Sequence, residues 1–388
     1  MNRKVGIVRC SSYDPEEVYR GLKNAVEHAG DLDVAGKTVL LKPNILSDTP
    51  PEKAIVTHPV FLEASIRLVR EMGAKRILTG DSPGIHVPGF SAKVSGLGET
   101  AVKNGAEWIN FTKGKTELSC PDGKVMKKFT VTGAVTDADI IISLPKLKNH
   151  QLMCFTGAMK NNFGLIPSLG KSVLHARFSG RDSFAAMIVD LNMAVKPAYV
   201  FMDAIIGMEG PGPGSGTPRH IGLIFASSNH LAIDAAACMT VGYPPQAIPV
   251  NKEALGRKLW LSDFDEIEYP LLSSAEVRIP DFKKIPLKES GSQLLDFVLP
   301  MPLRRFRESF APGPEINHKH CVRCGDCVSI CASTAMSMAD TASGKGKERR
   351  VVIDYSRCIR CFCCHEICPK KAIEIKKRMK NQKEKNGW

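Results

Sequence analysis

The chain has 388 residues, 43% hydrophobic and 24% charged. That balance excludes a largely disordered polymer and predicts about two or three domains. Two quantities stand out: a formal net charge of +13 and 13 cysteines. Nine cysteines fall between Cys321 and Cys368, while Cys10, Cys120, Cys154 and Cys238 are scattered. Scattered thiols suit a reducing compartment, and the dense group reads as metal ligation before disulfides. The N-terminal residues lack the apolar stretch of an export signal, and no run approaches the roughly 18 apolar residues of a membrane-spanning helix. A cytoplasmic protein without a transmembrane segment is expected. The nearest candidate for surface attachment, Leu294 to Leu303 followed by Arg304-Arg305-Phe306-Arg307, is interrupted by two prolines and reads as a packed linker.

Taken in order, the first 260 or so residues alternate between two periods. Val5 to Cys10 reads as a strand. Asp14 to Ala29 reads as a helix with Asp14 as N-cap, Pro15 at its first position and Gly30 after its end. Thr38 to Leu41 is a strand, His58-Pro59 opens a helix through Met72, Arg76 to Thr79 is a strand, and Gly96 to Asn104 is a helix. Further strands are predicted at Asp139 to Leu144, Ala198 to Asp203 and His220 to Ala226, with helices at Ser183 to Val195 and Leu231 to Val241. Short apolar strands alternating with amphipathic helices predict an α/β fold, a mostly parallel sheet with helices on both faces. Glu117 to Thr132, alternating around Pro121-Asp122-Gly123, predicts a hairpin inserted on one edge.

The expected organisation is an α/β domain over 1–261, a proline-rich linker or wrapping segment over 262–314, a small α+β domain over 315–376, and a basic tail over 377–388. Lys370 to Trp388 carries eight Lys/Arg against two Glu. That is a solvated terminus, and with Trp388 its only aromatic it makes nucleic acid an unlikely target.

Cys321, Cys324, Cys327 and Cys331 give C-x2-C-x2-C-x3-C, and Cys358, Cys361, Cys364 and Cys368 repeat it, with Pro369 next. Three cysteines at two-residue intervals curl a loop around three corners of an iron–sulfur cube. The fourth starts a helix and reaches the cube of the other motif. The expected ligand sets are therefore crossed: Cys321, Cys324, Cys327 with Cys368, and Cys358, Cys361, Cys364 with Cys331. Structural zinc is the alternative, but it usually uses separated C-x2-C pairs. These residues resemble a bacterial-type ferredoxin with two [4Fe-4S] clusters. Ala332 stands where that family usually has proline, and Cys363 is an extra thiol read as a bystander. Ala339 to Arg350 is expected to be a polar surface loop.

Polar motifs in the large domain collect at predicted strand ends, where open α/β sheets bind ligands. They are Lys42-Pro43-Asn44, Thr57-His58-Pro59, Gly80-Asp81-Ser82, Lys146 to His150, Thr156 to Gly164, and the Gly/Pro-rich stretch Gly207 to Gly216. None is a known phosphate loop, and each has a bland reading as a turn, cap or structural histidine. Together they resemble the domain of unknown function 362 family, whose members frequently carry a C-terminal ferredoxin-like domain. The resemblance implies an iron–sulfur protein, typically of anaerobic bacteria and archaea, without a settled activity. The order His150, Lys160, His175 also resembles the cofactor segment of the nickel-pincer lactate racemase family. That resemblance implies a cofactor held on Lys160 with the two histidines flanking it.

The expected function is an iron–sulfur oxidoreductase. A redox partner protein (ferredoxin, flavodoxin or reductase) would exchange electrons with the clusters, and a small-molecule substrate or second cofactor would sit on the α/β rim. Candidate catalytic residues are Lys160, His150 and His58, because reduction of a closed-shell substrate also needs protons. Candidate binding residues are Lys42, Asn44, Asp81, Lys148 and Asn161. The alternatives are an electron carrier with a non-catalytic docking domain, and an enzyme with a lysine-attached cofactor.

Overall fold

Apolar runs at Gly6–Arg9, Thr38–Pro43 and Arg76–Thr79 become strands, and each is followed along the chain by a helix. The computed structural model describes residues 2–84, 90–287, 312–343 and 346–376. The elements of the first unit are β1 (Gly6–Arg9), α1 (Pro15–Ala29), β2 (Thr38–Pro43), α2 (Pro59–Glu71), β3 (Arg76–Thr79), α3 (Leu97–Lys103), β4 (Glu107–Trp108), β5 (Lys115–Ser119), β6 (Lys128–Thr132), α4 (Ala134–Asp137), β7 (Ile140–Leu144), β8 (Lys146–His150), β9 (Cys154–Thr156), α5 (Ala158–Asn161), α6 (Ser168–Arg177), α7 (Arg181–Val195), β10 (Tyr199–Glu209), β11 (Thr217–Ser227), α8 (His230–Thr240) and α9 (Pro249–Gly256). Caps fall where the sequence predicts them. Asp14 accepts from the N–H groups of Glu16 and Glu17, and Gly30 ends α1 at φ 71°.

A nine-stranded sheet runs in the order β1-β11-β10-β7-β2-β3-β4, with β8 and β9 branching from β10. The centre is parallel: β10 with β7, β7 with β2, β2 with β3, and β3 with β4. β1 and β11 are antiparallel additions at one edge. Strand alternation divides the two faces. Val39 and Leu41, Ile142 and Leu144, and Tyr199 and Phe201 share one core with Leu22 of α1 and Phe61 of α2. The alternate residues Lys42 and Ser143 face the other way, toward α5, where the Asn161 amide donates to Ser143 Oγ at 2.9 Å. From β2 the chain crosses by α2 to β3. From β7 it crosses by α5 to α7 to β10, on the other side in the strand order. The gap between the carboxyl ends of β2 and β7 is therefore a topological switch point, the usual ligand crevice of such sheets.

Four expectations change. The Glu117–Thr132 hairpin exists, but β5 and β6 form a separate two-stranded sheet and not an edge of the main one. Lys146 to His150 is strand β8, because beyond Pro145 the chain pairs with the distal part of β10. β10 itself continues to Glu209 through a shift in register between Ala204 and Ile206, which shortens the Gly/Pro turn before β11. Ala339 to Arg350 is a paired hairpin, Met336–Ser343 with Gly346–Ile353. There Asp340 lies opposite Arg349, and opposite charges across strands favour pairing.

Contacts divide the chain into two units, Met1–Ile285 and Pro286–Trp388. The end of the first unit is tied down. Val277, Phe282 and Ile285 are buried, and the Ile285 N–H donates to Tyr243 Oη at 2.6 Å. In the second unit Gly313–Ile316 pairs antiparallel with Ile373–Lys376. Its core is Cys327, Met336, Val351, Cys364 and Ile373. The segment 294–307 and the tail 377–388 lie outside the described residues. Among the described residues no helix is long and apolar enough to cross a membrane.

Candidate functional site

The second unit is an internal repeat in backbone conformation as well as in cysteine spacing. The residues flanking the second cysteine of each motif take left-handed φ: Arg323 at 60° and Gly325 at 85°, Arg360 at 53° and Phe362 at 64°. Thr334 at 50° and Lys371 at 51° follow the fourth cysteine of each motif in the same way. Such turns gather successive N–H groups into an anion-binding nest, at a cost of roughly 1–3 kcal/mol for each non-glycine residue. The N–H of Ala335 points at Cys331 Sγ and that of Ala372 at Cys368 Sγ, both at 3.2 Å.

Two concavities result. One, of about 370 Å³, is lined by Cys321, Cys324, Cys327 and Cys368. The other, of about 340 Å³, is lined by Cys331, Cys358, Cys361 and Cys364, with Cys363 beside them. Each ring takes three cysteines from one motif and the fourth from the other. Among the described residues no three or more His, Cys, Asp or Glu side chains converge as ligands of a single ion. Four sulfurs around a backbone nest fit the cube. Cys324 of the first ring is exposed, and Phe362 lines the second ring where Gly325 stands in the first.

In the first unit, Lys42, Asn44, Asp81 and Asn161 come together at the switch point. Lys42 Nζ is fully buried. It lies 3.0 Å from Asp81 Oδ1 and donates to Asn161 Oδ1 at 2.9 Å. Asn44 Nδ2 donates to the same Asn161 oxygen at 3.0 Å. Asp81 also accepts from the N–H groups of Ile45 at 2.6 Å and Ser82 at 2.8 Å. Burial holds the Lys42 ammonium below its usual range, and Asp81 opposes that shift. Gly164 lets the backbone pass here, since a Cβ would come 2.2 Å from Asp81 Oδ1 and 2.4 Å from Lys42 Nζ.

His150 is buried, and its Nδ1 accepts from the N–H groups of Leu152 and Met153 at 3.1 and 3.3 Å. Burial holds its imidazolium form down, with the charges of Lys160, His175 and Lys148 adding to the effect. Lys160 is half-buried at the end of α5 and acts electrostatically on both histidines. Lys148 Nζ donates to Ile55 O at 2.7 Å.

His58 is elsewhere, on the α1/α2 side of the sheet. Its ring stacks on Tyr13 at 3.6 Å, and its backbone N–H donates to Asp203 Oδ2 at 3.0 Å. Asp203 also binds Lys146 Nζ at 2.9 Å and the Tyr13 hydroxyl at 2.8 Å. Burial pushes His58 down to about 4.

Lys171, which has no sequence motif, and His175 join the Lys42 side. Lys171 is buried, and its ammonium donates to the carbonyls of Ser82 and Pro83. Burial pushes it down to about 7. One turn on along α6, His175 stacks on Phe184 at 4.5 Å and is held down to about 3 by burial and by Lys160. The available signal is an inverted helix: Lys171 is 9% exposed while nearby Val173 is 63% exposed. Asp234 accepts from the N–H groups of Ala158 and Met159, fixing the start of α5, and burial raises it to about 7.

Lys42→Met is expected to destabilise the first unit by about 3–5 kcal/mol, because Asp81 is left buried without its counter-charge. Adding Asp81→Asn should recover most of that loss. Urea midpoints of the two variants check both outcomes.

Comparison with known proteins gives three findings. A family model described as a domain of unknown function (DUF362) matches residues 39–239, and one for a 4Fe-4S dicluster domain matches residues 320–372. The thylakoid-associated protein sll1697 of Synechocystis is 30% identical over 311 residues, covering 78% of this chain and 93% of its own. Among solved structures, the lactate racemase apoprotein of Thermoanaerobacterium thermosaccharolyticum aligns with a TM-score of 0.40 at 15% identity, over 58% of this chain and 55% of that one. A Thermotoga maritima protein aligns at 0.33 and 16%, over 55% of each chain. The chain thus spans little more than half of either solved structure. The polar strand ends from Lys42 to Asp234 and the twofold cysteine rings both lie within or beside the matched segments, and the chain belongs to the DUF362 family, with a 4Fe-4S dicluster domain at its C-terminal end.

Proposed function

We propose that the protein is an iron–sulfur oxidoreductase that moves electrons between a redox partner protein and a small molecule bound at the switch point of the α/β unit. Cys321, Cys324, Cys327 and Cys368 would hold one [4Fe-4S] cluster, and Cys358, Cys361, Cys364 and Cys331 the other. The observation that carries this reading is the composition of the two rings, each three-plus-one across the motifs. The clusters supply one-electron steps when bound. The chain's own contribution is the thiolates, the N–H groups aimed at Cys331 and Cys368, and the charged residues around Lys42. The first ring, with Cys324 exposed, is the proposed port for the partner. Lys160 is the proposed proton donor.

The test is anaerobic purification with iron and sulfide analysis and EPR after reduction. About eight irons per chain with spin-coupled signals is the expected result. Fewer than about four irons, or no reducible centre, would sink the reading. A non-spanning cytoplasmic location is part of the proposal. The name of the Synechocystis relative raises peripheral membrane association as the alternative, and fractionation in high salt separates the two.

A further inference from the structure

The two cysteine motifs repeat each other in spacing and in backbone turns, so each position in one ring has a counterpart in the other. Arg323 and Arg360 are counterparts of like charge, and each lines its own concavity. The position two residues after the second cysteine differs. It is Asp326 in the first motif and Cys363 in the second, each the first residue of a short helix, Asp326–Ser329 and Cys363–Ile367. Asp326 lines the first concavity and Cys363 the second. Cys363 is 6% exposed, and its thiol hydrogen-bonds the sulfur of Cys361. An iron-bound thiolate can only accept, so in a loaded ring Cys363 is the donor. The Asp326 carboxylate has no proton to give and brings a negative charge instead. Lys370, also in the first lining, is exposed, and solvent screens it.

A hydrogen bond to a cluster sulfur stabilises the reduced, more negative state and raises the potential, whereas a nearby carboxylate opposes reduction and lowers it. On the reading above that the rings hold [4Fe-4S] clusters, we propose that this one position tunes them in opposite directions: Cys363 raises the potential of the second-ring cluster, and Asp326 lowers that of the first. Both are positioning residues, since neither is a ligand of iron. Together they bias an electron delivered at the exposed Cys324 toward the second ring. In that step the first cluster is oxidised as the second is reduced by one electron, and no bond is made or broken.

The test is a dithionite titration of the full-length, cluster-loaded protein with mediators, followed by EPR. Each step adds one electron to one cluster. Cys363→Ala is expected to lower one of the two potentials by at least about threefold in the reduction equilibrium, which is about 28 mV for a one-electron couple. Asp326→Asn should raise the other by a similar factor. Cys363→Ser keeps a donor and should stay closer to the unsubstituted protein than Cys363→Ala does, a difference that lost packing alone would not make. Asp326 is half-buried, so its variant keeps the test available if Cys363→Ala loses iron. The proposal is overturned if Asp326→Asn leaves both potentials in place, if the two variants move the same cluster, or if the alanine and serine variants of Cys363 behave alike. Iron analysis of the same samples separates the two readings. About eight irons per chain with unmoved potentials reject only the tuning, and a chain without a reducible centre rejects the cluster reading and the tuning with it.

Discussion

Replacing Cys368 with serine is expected to remove the cluster of the first ring and leave that of the second. By sequence proximity Cys368 belongs with Cys358, Cys361 and Cys364, so a chain with one cluster per motif would lose the second. It lies instead with Cys321, Cys324 and Cys327, and Cys331 lies with the second motif. Cys331→Ser should therefore be the mirror experiment. In each variant iron should fall from about eight to about four per chain, and the spin-coupled EPR spectrum should collapse to that of an isolated cluster. Pairing each serine variant with a second change in the same ring, Cys324→Ser for Cys368→Ser and Cys361→Ser for Cys331→Ser, decides the grouping. Two changes in one ring still leave about four irons, whereas changes in different rings leave almost none. An uncrossed arrangement gives the reverse pattern.

Acid is expected to destabilise the first unit well above the pH at which exposed carboxylates protonate. Burial holds His58 down to about 4, and His175 and His230 to about 3. An unfolded histidine takes up its proton near 6.5. Below that pH the unfolded chain binds more protons, so the stability due to these neutral imidazoles is fully present above about 6.5 and is lost as pH falls toward 4. The slope approaches about 1.4 kcal/mol per pH unit for each histidine. Asp234 works the other way. Its folded value is raised to about 7, so its contribution is complete below about 4 and is lost as pH rises through 7. His150 is held neutral by burial in the same way, so four histidines against one aspartate make the net slope favour neutral pH. Urea midpoints followed by emission of Trp108 and Trp260, both in this unit, should fall steeply between pH 6.5 and 5. His230→Leu should reduce that slope by about a quarter. A flat profile would mean that these imidazoles are already charged in the folded protein.

Local chemistry made much of the fold legible in the residues alone. Asp14, Pro15 and Gly30 act within one or two turns of α1, and the apolar strands before α1, α2 and α3 need no distant information. The cysteine spacing likewise states its cofactor, because the loop that wraps a cube is built from consecutive residues. Extended segments were harder. β8 is a strand because it pairs with β10 and β9, and the Lys, Asn and His content of β8 has no strand signal of its own.

The rim required the tertiary structure for a geometric reason. Asn161 reaches Lys42 across 119 residues of chain, and no pattern over a few residues carries that contact. Strand alternation then separated residues that the motifs had suggested together: Lys42 faces α5, while His58 joins Asp203 on the α1/α2 side. Lys171 had no motif at all and is placed by the close approach of α6 to the turn after β3. The sequence by itself determined helices α1, α2 and α3, the parallel centre and the presence of a 4Fe-4S domain, because propensity, period and spacing act over short range. Only the tertiary structure decided which charged side chains share the crevice, because the reversal of strand order between β2 and β7 brings distant carboxyl ends side by side.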